Sequence, residues 1–254
     1  MLAFERREQI LKQIQGTKKV RIDELAKKFA CSEETIRRDM KRLEKDGVIK
    51  RFYGGAAVTG SLKEDVTTTA RYQAQITEKK LIAEQVANLI SDNSTLMVDS
   101  GSTAMEALKE IINTKKDITV ITNSINLLCE FKDTDLNIFS TGGNLRRKSA
   151  SLVGETVNDF LVNYHADIAI FGCKGISMQH GITESNEPET NVKRAMLKNA
   201  SQVILIADHT KFDKVGFTKV FEFDQIDFIV TDKKPSDEWL SFLKKHDIEV
   251  IYVD

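Results

Sequence analysis

From residue 77 onward, apolar runs of strand length alternate with stretches of helical spacing, and that alternation leaves few folds open. The runs are TLMVD (95–99), ITVIT (118–122), LNIFS (136–140), DIAIFG (167–172), QVILIAD (202–208), FIVTD (228–232) and EVIYV (249–253). Between them the spacing predicts helices over 77–91, 103–112, 124–132, 152–163, 187–200 and 236–246. Strands that are apolar on both faces need cover on both sides. They imply an α/β domain with a mostly parallel sheet flanked by helices. Ligands of such sheets bind beyond the carboxyl ends of the strands.

Those ends hold the informative residues. DSGST (99–103) closes the first strand and opens a helix, whose free amides and dipole favour an anion. Ser100, Ser102 and Thr103 add hydroxyls, and Gly101 lets the backbone come close. TNS (122–124) ends the second strand, and Ser124 suits a helix cap. TGGNLRRK (141–148), GCKGI (172–176) and ADHTKF (207–212) end the third, fourth and fifth. Any one of these reads equally as an ordinary turn with a cap. Five together, rich in hydroxyls, glycines and cations, describe a pocket for a small phosphorylated, polyhydroxylated molecule.

The first 58 residues read differently. They carry 15 Lys/Arg against 9 Asp/Glu, a net +6, while the rest of the chain carries −7. A basic head on an acidic body points to a polyanionic partner. Leu2, Phe4, Ile10, Leu11 and Ile14 have roughly helical spacing, with Gly16 as a stop. Ile22, Leu25, Ala26 and Phe29 share one face of a second short helix. Ser32 caps a third, in which Ile36, Met40 and Leu43 form the apolar stripe and Gly47 ends the run. Two helices joined by a tight turn make a helix-turn-helix.

The segment CSEETIRRDMKRLEKDG has no net charge, but its charges are not evenly placed. With the stripe facing inward, Glu34, Thr35, Arg37, Arg38, Lys41 and Arg42 spread over the sides and the exposed face. Side chains at the start of such a helix reach base edges in the major groove. The competing reading of the helix alone is a surface helix laced with salt bridges. VIKRFYGGAAV then reads as a hairpin, Val48–Phe52, Gly54-Gly55, Ala56–Val58, and a hairpin behind a recognition helix is a wing. Lys50 and Arg51 on it suit phosphates.

RREQILKQI together with CSEETIRRDMKRLEKDGVIKRFYGGA resembles the N-terminal domain of the DeoR family of bacterial transcription regulators. One departure is Tyr53, where relatives usually carry His; a tyrosine there still stacks or bonds a phosphate. The body resembles the family's effector domain, which is related to ribose-5-phosphate isomerase and CoA-transferase-like folds. The resemblance implies a phosphate loop at Asp99, Ser100, Gly101, Ser102 and Thr103. It implies a pocket lined by Thr122, Asn123, Gly142, Gly143 and Arg147. It matches Asp208 and Lys211 to a D-x-S/T-K motif that handles sugar hydroxyls or phosphate, with Glu187 and Lys193 as weaker candidates. Lys174 departs from the pattern, since relatives usually carry Asp or Asn. It favours a second negative group on the ligand or pairs with Glu184 or Glu187.

The expected organisation is a winged helix-turn-helix over 1–58, a linker over 59–76 and a sugar-phosphate-binding effector and oligomerisation domain over 77–254. In the linker, TGSLKEDVTTTARYQAQITEKK is polar and Thr-rich, and Arg71 and Lys80 read as solvated more readily than as ligand contacts. The expected function is a repressor of a carbohydrate uptake or catabolism operon. Operator DNA and a phosphorylated sugar or sugar alcohol are its expected partners, and it acts as a homodimer or homotetramer. The alternative is a sugar-phosphate isomerase-like enzyme with an appended DNA-binding domain. That chemistry needs a carboxylate base, for which Asp99 and Glu187 are candidates, while Lys174 argues against it. Cys31, Cys129 and Cys173 form no CxxC pair or metal pattern, so no metal, cofactor or catalytic residue is expected. The charged MLAFERREQI is no signal peptide, and no apolar run nears the ~20 residues of a membrane span. A reduced, cytoplasmic protein is expected.

Overall fold

The computed structural model describes residues 5–7, 9–10, 13–14, 19–45, 49–52, 55–58 and 68–253. Leu2, Phe4, Leu11, Gly16, Gly47, Val48, Tyr53, Gly54 and residues 59–67 lie outside the described residues. The chain divides into two compact units, Met1–Arg71 and Tyr72–Asp254.

In the first unit, residues 5–7, 9–10 and 13–14 are helical, followed by β1 (Lys19–Arg21), α1 (Ile22–Lys28), α2 (Glu33–Lys45), β2 (Ile49–Phe52) and β3 (Gly55–Val58). The sheet order is β1-β3-β2, all antiparallel. The hairpin β2–β3 is where the sequence places it. β1 adds a third strand that its polar, three-residue sequence does not announce; Val20, its one apolar residue, is buried. Ile10, Ile14, Val20, Ile22, Leu25, Ala26, Ile36, Met40, Leu43 and Ile49 make the core. The tight turn is set by the backbone. Cys31 N–H donates to Ala26 O and Ala30 N–H to Lys27 O, with Ala30 at φ 48°. That is a Schellman closure with alanine where glycine is usual.

The second unit is built on a seven-stranded, wholly parallel sheet. Its strands are β4 (Thr95–Val98), β5 (Thr119–Thr122), β6 (Asn137–Ser140), β9 (Ala166–Gly172), β12 (Ala200–Ile206), β14 (Phe228–Thr231) and β15 (Glu249–Tyr252). They correspond one for one to the seven apolar runs. The order is β15-β14-β12-β9-β4-β5-β6, so the winding reverses between β4 and β9. That reversal opens the crevice where ligands of doubly wound sheets bind.

Helices α4 (Ile76–Leu89), α5 (Ser102–Thr114), α6 (Ile125–Glu130), α7 (Glu155–Leu161), α8 (Glu187–Lys198) and α9 (Asp237–Lys245) fall in the predicted helical stretches, except that Leu152 and Val153, expected to open α7, lie in a strand. Two apolar clusters result. One holds α4, α5 and the faces of β4 and β5 that carry Leu96, Val98 and Val120; the other holds α7, α8, α9 and the opposite sheet face.

Two small antiparallel sheets sit outside the sequence expectation. One is the hairpin β7 (Asn144–Arg146) and β8 (Ser151–Val153). The other is β10 (Gly175–Ser177), β11 (Gly181–Glu184) and β13 (Thr218–Phe221). Strands of three or four residues are too short to show a period. The stretch expected as a connector contains a short helix, α3 (Thr68–Gln73). Tyr72 in it packs against the α4–α5 core, so the second unit starts before Thr77.

Candidate functional site

On α2 the apolar stripe is inward and the cations are outward. Ile36, Met40 and Leu43 are buried, while Glu34, Arg37, Arg38, Lys41 and Arg42 are exposed. Asp39 is the buried exception. Its carboxylate accepts from Arg6 Nε at 2.6 Å, and Arg7 Nη1 stands 3.7 Å away. Asp39 holds the Arg6 guanidinium above its ordinary value through that hydrogen bond. Ser32 caps α2 by accepting from Thr35 N–H at 3.2 Å, and the two hydroxyls share a 2.9 Å hydrogen bond. Arg37 reaches back to Glu33 at 3.3 Å, an exposed (i,i+4) pair that a phosphate or base can displace at little cost. The backbones of Lys50 and Arg51 lie in β2; their side chains, like Tyr53, fall outside the described residues.

In the second unit the loop after β4 is held from within. Asp99 follows β4 and is buried. Its Oδ1 accepts from Gly101 N–H at 2.8 Å, and its Oδ2 from Gly172 N–H at 3.2 Å. Lys193 Nζ stands 2.9 Å from Oδ2. The same ammonium donates to Gly172 O at 2.7 Å and lies 2.7 Å from Glu184 Oε2. Asp99, Glu184 and Lys193 thus form a buried cluster across the point where the winding reverses. Burial alone would lower the Lys193 pKa; Asp99 and Glu184 outweigh it and hold the group above its ordinary value, so it stays charged.

Asp99 shapes the loop rather than offering a free carboxylate, because both oxygens are occupied. The same occupancy weakens it as a catalytic base. Gly101 is required by that geometry, since a Cβ there would lie 2.7 Å from Asp99 Oδ1. Gly101 is also the N-cap of α5, whose first intrahelical bond is Met105 N–H to Gly101 O. The amides of Ser102, Thr103 and Ala104 precede that bond, as at any helix start, and form an anion-receptive end.

Beside this loop, Thr122 donates to Val98 O at 2.7 Å and accepts from Ser124 N–H at 3.1 Å. Asn123 donates to Leu152 O at 3.0 Å, which ties the β7–β8 hairpin to the end of β5. The Asn123 Oδ1 is buried and has no hydrogen-bond partner. A buried acceptor without a donor is rare and invites one from a ligand.

Gly142 and Gly143 enter the hairpin with φ of 64° and 107°, and Arg147 is exposed in its turn. Its neighbour Arg146 is the cation drawn inward: it donates to Ser149 at 2.9 Å and stands 3.8 Å from Glu189. Ser151 donates to Glu189 at 2.8 Å, and Asn186 to the other oxygen at 2.7 Å. Sequence reasoning favoured Arg147 over Arg146, named Glu184 only as a partner for Lys174, and missed Ser151 and Glu189; nothing in their spacing marks them as partners.

At the end of β12, Asp208 accepts from Thr210 N–H at 3.0 Å and from its hydroxyl, with Lys211 Nζ 3.7 Å away. Burial works against ionisation of Asp208, but Lys211, Thr210 and His209 prevail and hold its carboxyl below the ordinary range. Phe212 packs edge-on to Trp239, which fixes the loop that carries Lys211. Lys174 is half-buried and donates its N–H to Thr183 O at 2.9 Å, while Glu184 is engaged by Lys193. Burial pushes the Cys173 thiol up to about 12, against the pull of Lys193 and Lys211, so it stays protonated. Glu187 is exposed and lines a separate cavity of about 310 Å³ with Glu155, Asn158 and Asn191, an acidic lining that suits no phosphate. Among the described residues no cluster of metal ligands and no helix long and apolar enough to cross a membrane is found.

Residues 6–61 match the DeoR-like helix-turn-helix domain, and residues 74–233 match the DeoR C terminal sensor domain. The chain belongs to the DeoR family of transcriptional regulators. It is 32% identical to the HTH-type transcriptional repressor GlcR of Bacillus subtilis over 255 residues, covering 100% of this chain and 98% of that one. It is 32% identical over 235 residues to the HTH-type transcriptional regulator GolR of Listeria innocua, with 92% of each chain covered. It is 31% identical over 232 residues to the Glycerol-3-phosphate regulon repressor of Escherichia coli, with 91% of each covered. Among solved structures, ribose 5-phosphate isomerase from Plasmodium falciparum aligns with a TM-score of 0.39 at 18% identity, over 53% of this chain and 52% of that one. As a DeoR-family member the chain is a DNA-binding transcriptional regulator.

Proposed function

We propose that this DeoR-family regulator represses a carbohydrate uptake or catabolism operon and leaves its operator when a phosphorylated sugar or sugar alcohol binds the second unit. The observation that carries the effector class is the pairing of the open α5 N-terminus with the partnerless Asn123 Oδ1 at adjacent strand ends. The helix start suits a phosphate; the buried acceptor suits a hydroxyl. Lys174, Arg147 and the Asp208–Lys211 pair complete the proposed rim, while Ser100, Ser102 and Thr103 supply its hydroxyls; the Thr122 hydroxyl is spent on Val98 O and Ser124 N–H and only braces the rim from below. The name of the Escherichia coli relative, a glycerol-3-phosphate regulon repressor, supports the same ligand class.

In this reading residues 1–58 bind DNA, and the second unit, from Tyr72 onward, senses and oligomerises in the cytoplasm, because paired recognition helices read paired half-sites. Arg37, Arg38, Lys41 and Arg42 face the groove, with Glu34, Ser32 and Thr35 at its start and Lys50, Arg51 and Tyr53 on the wing. The effector acts only by preferring the state whose heads no longer match the operator.

The test is fluorescence anisotropy on DNA from upstream of the protein's own gene, titrated with glycerol 3-phosphate, hexose 6-phosphates, hexitol phosphates and amino-sugar phosphates. Tight binding released by one compound supports the reading. Tight binding that none of them changes removes the effector class.

A further inference from the structure

The lysine at the reversal of the sheet has more contacts than a packing role needs. Lys193 is buried on α8, and an ammonium has three N–H donors. Three acceptors surround it: Asp99 Oδ2 at 2.9 Å, Gly172 O at 2.7 Å and Glu184 Oε2 at 2.7 Å. All three donors are therefore taken by protein groups, and none is left for a ligand. The acceptors come from three different places: the loop after β4, the last residue of β9, and the last residue of β11. β11 belongs to the small β10–β11–β13 sheet, not to the parallel sheet. Lys193 thus joins the small sheet to the two strand ends that flank the crevice.

We infer that Lys193 is a positioning residue: acting through Asp99, it sets the loop 99–101 that presents the α5 amides, and acting through Glu184 it ties that loop to the β10–β11–β13 sheet. Asp99 is the relay. Its two oxygens hold Gly101 N–H and Gly172 N–H, one on each side of the reversal, and Lys193 supplies the ion-pair partner that a buried carboxylate needs. Glu184 is held a second time, by Ser185 N–H at 2.8 Å, so the far arm of the clamp is also fixed. Removing the ammonium leaves two buried carboxylates facing each other. Asp99 then swings outward from its unpaired neighbour, and one of its glycine hydrogen bonds is lost. The consequence for ligand binding rests on the proposed effector site; the consequence for the loop does not.

The experiment separates the two. Amide hydrogen exchange by NMR on the full chain reads the loop directly, without any effector. In Lys193→Met, exchange at Gly101 and Gly172 should speed up by about tenfold to a hundredfold, the loss of one hydrogen bond to a charged acceptor. Val98 and Ile170, in the strands just before them, should stay within about threefold, since their ladder bonds are untouched. Glu184→Gln, which leaves the Asp99 contact in place, should show a smaller change at Gly101 and guards against a Lys193→Met chain that fails to fold. In the Asp99→Asn background, Lys193→Met should add little further loosening at Gly101, because the relay is already cut. Unchanged exchange at Gly101 in both single variants overturns the inference, as does full additivity in the double variant. Loosened exchange in Lys193→Met, together with a wild-type protein that no sugar phosphate releases from DNA, would leave Lys193 as the positioning residue and remove the proposed effector instead.

Discussion

Replacing Asp39 with alanine tests how the recognition helix is held to its domain. The carboxylate has a side-chain exposure of 6% and accepts from Arg6 Nε at 2.6 Å, with Arg7 Nη1 3.7 Å away. Removing one partner of a fully buried ion pair costs about 3–5 kcal/mol, but that figure assumes the stranded partner stays dry. Here Arg6 and Arg7 keep side-chain exposures of 13% and 32%, so both rehydrate once the carboxylate is gone. The cost then falls to that of a charged hydrogen bond, about 2 kcal/mol. A unit of this size is stabilised by about 4–10 kcal/mol in total, so the loss is a large fraction of it. It corresponds to a fall of about 10 °C in the midpoint of the head.

The chain offers a clean assay. Its single tryptophan, Trp239, is buried in the second unit, so tryptophan fluorescence follows that unit alone, whereas far-ultraviolet circular dichroism follows both. Asp39→Ala should bring out an early dichroism transition with no movement of the fluorescence transition, and Asp39→Asn should recover part of the loss. Equal movement of both signals, or movement of neither, refutes the assignment of Asp39 as the anchor of α2.

Arg37→Ala should weaken binding to operator DNA by about tenfold to a hundredfold, the loss of one base-edge contact, with the response of the residual binding to effector intact. An equal loss on unrelated DNA would make Arg37 a phosphate contact instead. Ala30→Gly should stabilise the head by about 0.5–1 kcal/mol in thermal unfolding, because Ala30 sits at φ 48° where glycine carries no penalty; a destabilised variant would contradict the turn described. Asp208 is held below the ordinary carboxylate value of 3.8, so its contribution is present above that pH and is lost as pH falls through its lower folded value. Asp208→Asn should therefore destabilise the second unit near pH 7 and narrow its gap to wild type below about pH 4, as followed by Trp239 fluorescence; a gap that does not change with pH would point to packing alone.

Much of this molecule could be read along the chain because the signals are local and periodic. Seven apolar runs became seven strands, and the stripe Ile36, Met40 and Leu43 went to the core and turned Arg37, Arg38, Lys41 and Arg42 outward. Glycines and hydroxyls after the apolar runs marked where strands end, since a strand that feeds a helix through a short turn needs small residues and a cap wherever it occurs.

The tertiary structure decided what those loops do to one another. The order of the strands puts the end of β4 next to the end of β9, so Asp99 meets Gly172, 73 residues away, and Lys193 and Glu184 close the cluster. No spacing in the sequence predicts that meeting, because it depends on which strands are neighbours. The same holds for Arg146 and not Arg147 turning inward toward Glu189, and for β1 completing the sheet of the head. Periodicity fixes which face of an element is buried, since an apolar stripe leaves water whichever neighbour covers it. Which charged groups share that buried space depends on how the elements stack, and there the cost of an unpaired charge makes the choice.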